Sequence, residues 1–492
     1  MLDIILQSLE SSQFIALFIG LSVGVFIGVL PGLGPLLGVV LAIPFTFNLD
    51  AITSMALLLG IYQGGSYGGA ITAALIGIPG TPMAAITLLD ARPMTLNGQA
   101  SRAVTLATVS SSIGGIIGGV FLIFVSPALA SIALNFGPSE IFSLGLLGLM
   151  CIATLSQGSM IKGVLAAVLG LFIASIGSDP VTGLVRFTFG FTELSGGVSL
   201  VALLVGVFAI SEVLMNIESP IVAKTLTNKI GTSFSVFKTI IKKPILYIRS
   251  SLVGVIVGVV PGIGGVTSAF FSYKLAKDFS KEPESFGKGQ EEGVIASEAS
   301  NSATTGGALI PMLAVGIPGD PIVAVLMGGL LIQGFTPGPL MFVTDQNLIT
   351  GIFVVYIIGA VLLLPIGLLM IPAFVRMLKV PISLLMSGVL LLSLIGTYVV
   401  QRQVFDLWTM WLFGMVGYFM RKKGFPLAPL VIGFVLGPII ESNFRRSLIL
   451  LQGNSITFLS ERPYTIGILV MILIVLMVPM LQFFSARFKK NG

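Results

Sequence analysis

The sequence has no histidine, a single cysteine and, across 492 residues, only 9% charged side chains. Without histidine there is no imidazole acid–base catalysis, no Ser-His-Asp or Cys-His dyad, and little prospect of a zinc or haem site. With one cysteine no intrachain disulfide can form. Cys151, set in an apolar stretch, reads as a small buried hydrophobe. The scarcity of charge excludes a soluble protein, because soluble domains carry about 25% charged residues. No Lys or Arg precedes Arg92, so the start of the chain lacks the basic region of a cleavable signal and no such signal is expected.

What is present is apolar: 55% of residues are hydrophobic and the mean hydropathy is +1.06. Runs of spanning length recur along the whole chain. At about 20 residues per crossing they amount to roughly 12 membrane segments, with lipid as the main solvent. The net charge of +6 does not point to nucleic acid. Its basic residues sit at the ends of apolar runs, where lipid headgroups and topology account for them. The densest basic stretch is residues 218–249, with Lys224, Lys229, Lys238, Lys242, Lys243 and Arg249 against Glu218. The positive-inside rule makes it a cytoplasmic linker between a first half, 1–217, and a second, 250–492. Arg421 to Lys423 and the tail (Arg487, Lys489, Lys490) read the same way, and Arg445-Arg446 fits less well. The N-terminal tail carries Asp3 and Glu10 but nothing basic, and is expected outside.

The two halves share a pattern. Gly24-Val-Phe-Ile-Gly-Val-Leu-Pro-Gly-Leu-Gly-Pro35 returns as Gly254-Val-Ile-Val-Gly-Val-Val-Pro-Gly-Ile-Gly-Gly265, identical at seven of twelve positions. Gly77-Ile-Pro-Gly-Thr-Pro82 returns, in the same order, as Gly316-Ile-Pro-Gly-Asp-Pro321. Proline removes an amide donor and glycine relaxes the backbone, so each motif stops a helix. Thr81-Pro82 and Asp320-Pro321 read as an N-cap followed by proline at the first helical position. A helix N-terminus at membrane depth attracts anions, and broken backbone is tolerated there only when buried in protein or lining a cavity. One such motif alone reads as a proline kink. Four, paired by repeat, read as an anion pocket between two inverted repeats of discontinuous helices, the pattern of secondary transporters.

The expected substrate site therefore comprises Pro31, Gly32, Gly34, Pro79, Gly80 and Thr81, with Pro261, Gly262, Gly264, Pro318 and Gly319 opposite. Its polar flanks are Tyr62, Ser66, Gly68, Gly69 and Thr72 in the first half, and Thr304, Thr305 and Gly306 in the second. Hydroxyls and amides there can bind carboxylate oxygens, though bonding between helices is the plainer use of some of them. Glu298, Ser300, Asn301, Ser302 and Asp320 are the expected coupling-cation group. Asp320 stands where the first half has neutral Thr81, so it suits a cation where Thr81 leaves room for an anion; simple N-capping is its other reading. Of the embedded charges, Glu298 is the one set at depth. Asp90, Asp179, Arg186, Glu193, Glu212 and Asp406 lie near segment ends and are expected at the interface.

At these motifs the chain resembles the large integral membrane subunit (TctA type) of bacterial tripartite tricarboxylate transporters. The resemblance rests on Gly28-Val-Leu-Pro-Gly-Leu-Gly34, Tyr67-Gly-Gly69 with Ile78-Pro-Gly80, Gly258-Val-Val-Pro-Gly262, and Ser297-Glu-Ala-Ser-Asn-Ser-Ala-Thr-Thr-Gly-Gly-Ala-Leu-Ile-Pro311 with Gly316-Ile-Pro-Gly319. Arg186-Phe-Thr-Phe-Gly190, Gly417-Tyr-Phe-Met-Arg421, Leu436-Gly437, Glu441 and Arg445 extend it over nearly the whole chain. It implies a multi-pass protein of the bacterial inner membrane that works with a small membrane subunit (TctB type) and a periplasmic solute-binding protein (TctC type). It further implies uptake of a carboxylate such as citrate, driven by a Na⁺ or H⁺ gradient, with no other cofactor and no resident metal. The chain carries one Asn in the run 300–305 where the family often shows two. The rivals are a gated anion channel and a membrane enzyme acting on lipid. The second is disfavoured by the missing histidine and the lack of clustered carboxylates, so no catalytic residue is expected.

Overall fold

The computed structural model describes residues 11–155, 159–179, 182–218, 231–377, 380–451 and 462–488. Asp3, Glu10, Lys224, Lys229, Lys489 and Lys490, used above to orient the chain, fall outside the described residues. The described chain is helical almost throughout. Among these residues the only sheet is an antiparallel pair of two-residue strands.

Four helices open the fold: α1 (Ser11–Val29), α2 (Gly34–Thr46), α3 (Ala51–Leu75) and α4 (Ala84–Leu96). Then come α5 (Ala100–Ala133), α6 (Pro138–Leu155) and α7 (Met160–Ala174), the strands β1 (Gly177–Ser178) and β2 (Val185–Arg186), and α8 (Leu200–Glu218). A second quartet follows: α9 (Pro244–Val259), α10 (Gly264–Asp278), α11 (Glu291–Val315) and α12 (Pro321–Ile332). The longer helices of the last part are α13 (Gln346–Leu369), α14 (Ile382–Gln401), α15 (Val404–Lys422), α16 (Leu427–Leu451) and α17 (Pro463–Phe488). Among the described residues six helices are long and apolar enough to cross a membrane: α1, α5, α8, α13, α14 and α16. The 13-residue α2 and α4 and the 12-residue α12 are different. At 1.5 Å per residue they reach about 20 Å, short of a hydrocarbon core about 30 Å thick.

The breaks fall at the Pro-Gly motifs, one between each pair of helices in the two quartets. Gly32 and Gly34 take positive φ (91° and 61°), and so do Gly262 and Gly264 (86° and 71°). Gly77 and Gly316 match in the same way (82° and 76°). Sequence repetition is therefore backbone repetition, at positions where an L side chain would be strained.

Packing repeats too. Glycines let α1 lie directly on α3 and α9 on α11. A Cβ at Gly24 would sit 2.5 Å from the Ile61 carbonyl oxygen, and one at Gly254 would sit 2.3 Å from that of Ser300. At Gly68 the same atom would meet Val25 O at 2.5 Å, and at Gly307 it would meet Val255 O at 2.6 Å. Small residues that bring backbones together are the usual means of joining helices in lipid, where hydrophobicity gives no preference for helix over acyl chain. Around the two quartets, α5 packs along α11 and against α13, α16 lies on α6 and α7, and α15 lies on α8.

Several charges expected at the interface are buried in protein. Asp90 is wholly buried: one carboxylate oxygen accepts from the backbone N–H of Gly287 (2.8 Å), Gly289 (2.9 Å) and Gln290 (2.8 Å), the other from the Tyr273 hydroxyl (2.8 Å). It thereby ties α4 to the loop before α11. Asp179, Arg186, Glu441 and Arg445 form one network, with Arg186 on Glu441 at 2.5 Å and Arg445 on Asp179 at 2.7 Å. This explains why Arg445 fits the topology rule poorly: its charge is committed to local carboxylates. Glu212 is buried beside Arg421, and Asp406 is 4% exposed. Each reads as interfacial from its place in the chain, because the folding that covers it comes from distant segments.

Candidate functional site

The four breaks meet in two pairs. In the first, Gly80 N–H donates to Gly69 O at 3.3 Å, and a Cβ at Gly80 would lie 2.2 Å from Gly28 O and 2.6 Å from the Thr72 hydroxyl. In the second, Gly319 N–H donates to Ala308 O at 3.3 Å, and a Cβ at Gly319 would lie 2.7 Å from Gly258 O. Gly262 N–H donates to Gly319 O at 3.0 Å, joining the Pro261 and Pro318 breaks directly. Pro31, Gly80, Pro318 and Gly319 are buried; Pro79, Pro261, Gly262 and Gly264 are half-buried, and Gly32 is exposed.

The two pairs are joined by side chains of α3 and α11. Tyr62 donates its hydroxyl to Asp320 Oδ2, and Asn301 Nδ2 donates to Ser66 O at 3.1 Å. Asp320 Oδ1 accepts from Val323 N–H at 2.8 Å, so Asp320 is the N-cap of α12 with Pro321 next, as its sequence reads. Thr81 is not its equivalent: α4 begins at Ala84, and Thr81 leads a turn in which Thr81 O accepts from Ala84 N–H at 3.1 Å. Its hydroxyl has no hydrogen-bond partner. The starts of α2, α4 and α10 likewise carry no side-chain cap. Three of the four helix N-termini at the breaks thus have no side-chain cap, and the fourth is capped by a carboxylate.

The hydroxyl flanks divide. Ser66 donates back to Tyr62 O at 2.8 Å and Thr72 to Gly69 O at 3.1 Å, both within their own helix. Ser300 pairs with Ser268, and Thr304 lies 2.9 Å from the same Ser268 hydroxyl. Thr305 shares a hydrogen with Tyr356 at 2.6 Å, next to the Gly306 turn of α11. Thr81 Oγ1, Asn301 Oδ1, Ser302 Oγ and Gln63 Oε1 are buried without a partner. All lie in the α3, α11 and break region, and an unmet buried polar atom costs about 1–3 kcal/mol.

Glu298 sits one turn before this group. It is wholly buried; Thr87 Oγ1 of α4 is 2.5 Å from its Oε1, and Ser111 Oγ of α5 is 2.8 Å from its Oε2. Thr87, Ser111, Ser268, Gln63 and Tyr356 were not legible as site residues. Each is a common residue on an apolar helix, and only the approach of distant helices gives it a role. Two surface cavities lie elsewhere. One of about 570 Å³ opens between Asp50 and Asp345, and an apolar one of about 520 Å³ lies beside Ile19 and Ile27.

The profile described as the Tripartite tricarboxylate transporter TctA family matches residues 14–432. An Agrobacterium vitis protein, "Uncharacterized 52.8 kDa protein in TAR-I ttuC' 3'region", is 37% identical over 423 residues, covering 85% of this chain and 84% of its own. Another from Agrobacterium vitis, "Uncharacterized protein in TAR-II ttuC' 3'region", is 36% identical over 208 residues, covering 42% of this chain and 86% of its own. No solved structure matches.

Proposed function

The chain belongs to the tripartite tricarboxylate transporter TctA family, a family of membrane transporter subunits, and from that premise we propose that it carries a small organic carboxylate inward by ion-driven secondary transport. The observation that carries this reading is the junction of α3 and α11. Two pairs of broken helices meet there across the Tyr62–Asp320 bond, beside buried oxygens with no partner and helix starts with no cap. A carboxylate beside Thr81, at the uncapped start of α4, would accept from the Thr81 hydroxyl, and a cation near Asp320, Asn301 and Ser302 would satisfy the acceptors.

In this reading the two quartets are repeats of opposite orientation, and the half-helices tilt about their Pro-Gly breaks to expose the junction to one face at a time. The long apolar helices and short broken ones together supply about 12 membrane segments. The protein sits in the bacterial inner membrane and is fed by a periplasmic solute-binding protein, with a small membrane subunit alongside. Tricarboxylates and dicarboxylates are the substrate class, citrate among them.

Reconstitution of the three components in proteoliposomes tests this, using a panel of mono-, di- and tricarboxylates under imposed Na⁺ or pH gradients. Accumulation of one carboxylate above its external concentration is expected. Flux that only ever runs downhill would make the chain a gated anion channel, and indifference to every carboxylate would remove the reading.

A further inference from the structure

Glu298 and Asp320 are both wholly enclosed carboxylates, yet their surroundings differ in hydrogen count. Asp320 is met only by donors, the Tyr62 hydroxyl and the Val323 N–H, and lies at the positive end of α12. That suits an anion. Glu298 lies mid-helix, and among the described residues no Lys or Arg is ion-paired with it.

Its oxygens belong to a chain of four contacts. Ser111 Oγ is 2.8 Å from Glu298 Oε2, Glu298 Oε1 is 2.5 Å from Thr87 Oγ1, Thr87 Oγ1 is 2.9 Å from Ser297 Oγ, and Ser297 Oγ is 2.9 Å from Gly293 O. Each contact needs one hydrogen between two oxygens, and the three hydroxyls supply three. An ionised Glu298 leaves one contact as two facing lone pairs. A neutral carboxyl supplies the fourth hydrogen and lets every bond run one way: Ser111 to Glu298, Glu298 to Thr87, Thr87 to Ser297, Ser297 to the Gly293 carbonyl. An unpaired carboxylate this deep carries a large desolvation cost, which the neutral form avoids.

We propose that Glu298 is the proton-binding site of the transport cycle, occupied by H⁺ in this conformation, with Thr87 as acceptor and Ser111 as donor. This rests on the transporter reading above and deepens it by naming the coupling ion and its seat. Thr87 belongs to α4, Ser111 to α5 and Glu298 to α11, so movement of the first quartet against the second removes the acceptor and alters the hold on the proton. The ionisable groups facing this chain from packed helices are otherwise engaged. Tyr67 of α3 interacts electrostatically with Glu298 and is bonded to Thr108 at 2.6 Å. Asp90 and Tyr273 are bonded to each other at 2.8 Å, and Arg102 with Glu291 closes the end of α5 and α11 at 2.5 Å.

Infrared spectroscopy of the purified full-length chain in lipid at neutral pH reads the proton directly. The wild type is expected to show a buried protonated-carboxyl stretch that disappears in Glu298→Gln and moves to higher frequency in Thr87→Val, where the acceptor is gone. Glutamine is a near-isostere of the neutral acid, donating to Thr87 and accepting from Ser111, so this variant should fold. If the wild-type minus Glu298→Gln spectrum lacks that band, or Thr87→Val leaves it unmoved, the assignment is overturned. In the reconstituted system, Glu298→Gln should lose at least tenfold in pH-gradient-driven accumulation while keeping substrate counterflow; undiminished accumulation also overturns it. A wild type that transports no carboxylate at all would instead refute the transporter reading, with the spectroscopic result standing by itself.

Discussion

Replacing Asp320 separates its two roles, capping α12 and holding Tyr62. In Asp320→Ala, Val323 N–H and the Tyr62 hydroxyl both lose their acceptor inside the protein. Each orphaned donor costs about 1–3 kcal/mol. Relief of a buried charge offsets part of the sum, and a net loss of about 2–4 kcal/mol remains. Asn is as good an N-cap as Asp, and its amide oxygen still accepts from one donor, so Asp320→Asn should cost only about 1 kcal/mol. Cys151 supplies the assay. It is the sole cysteine and 5% exposed, so a thiol-reactive fluorophore labels it only as the fold opens on heating. The expected melting order is wild type, then Asn, then Ala well below. In the Asp320→Ala background, Tyr62→Phe should add almost nothing, because the bond it removes is already gone. Equal melting of Ala and wild type, or full additivity of the pair, would refute the argument.

Three further outcomes follow from packing and charge. Gly28→Ala and Gly258→Ala place a Cβ 2.3 Å from Gly65 O and 2.7 Å from Thr304 O, and should each lose about 1–3 kcal/mol in the same melting assay. Gly388→Ala, with nothing within 4 Å, should melt no lower than wild type, and a loss there equal to theirs would discredit the contact argument. Asp90→Ala removes the acceptor of three loop amides and should speed tryptic cleavage at Lys281 and Lys288; an unchanged digestion rate would show that the loop is held by other means. Arg186→Ala removes one of the two guanidinium groups that Glu441 and Asp179 share with Arg445 and should lower stability by about 1 kcal/mol, by less in high salt since the cluster is only partly enclosed. A loss insensitive to salt would argue for packing as its cause.

The helical class, the duplicated breaks and the cap at Asp320 were legible because each rests on local chemistry: proline without a donor, glycine at positive φ, an acid before a helix. Thr81 shows where that reasoning stops. The residues Thr-Pro have the same capping chemistry as Asp-Pro, yet α4 starts three residues later, because Thr81 is pressed against Gly69, where a Cβ would meet its hydroxyl at 2.4 Å. The enclosure of Asp90 was not legible for a related reason: the amides that surround it lie some two hundred residues downstream. The partners of Glu298, Thr87 and Ser111, carry no pattern of their own and gain a role only through the packing of α4 and α5 on α11.

The shift of 239 residues that maps Pro79 onto Pro318 also maps Tyr62 onto Asn301 and Thr81 onto Asp320. The Tyr62–Asp320 clasp therefore has a mirror position, filled by Asn301 and Thr81, where the amide oxygen and the hydroxyl both go unanswered. Two like halves with like residues at these positions would be joined by two like clasps. Here one flank is bonded and the other is not, so the asymmetry between the halves is written into two residue substitutions and not into the duplicated frame.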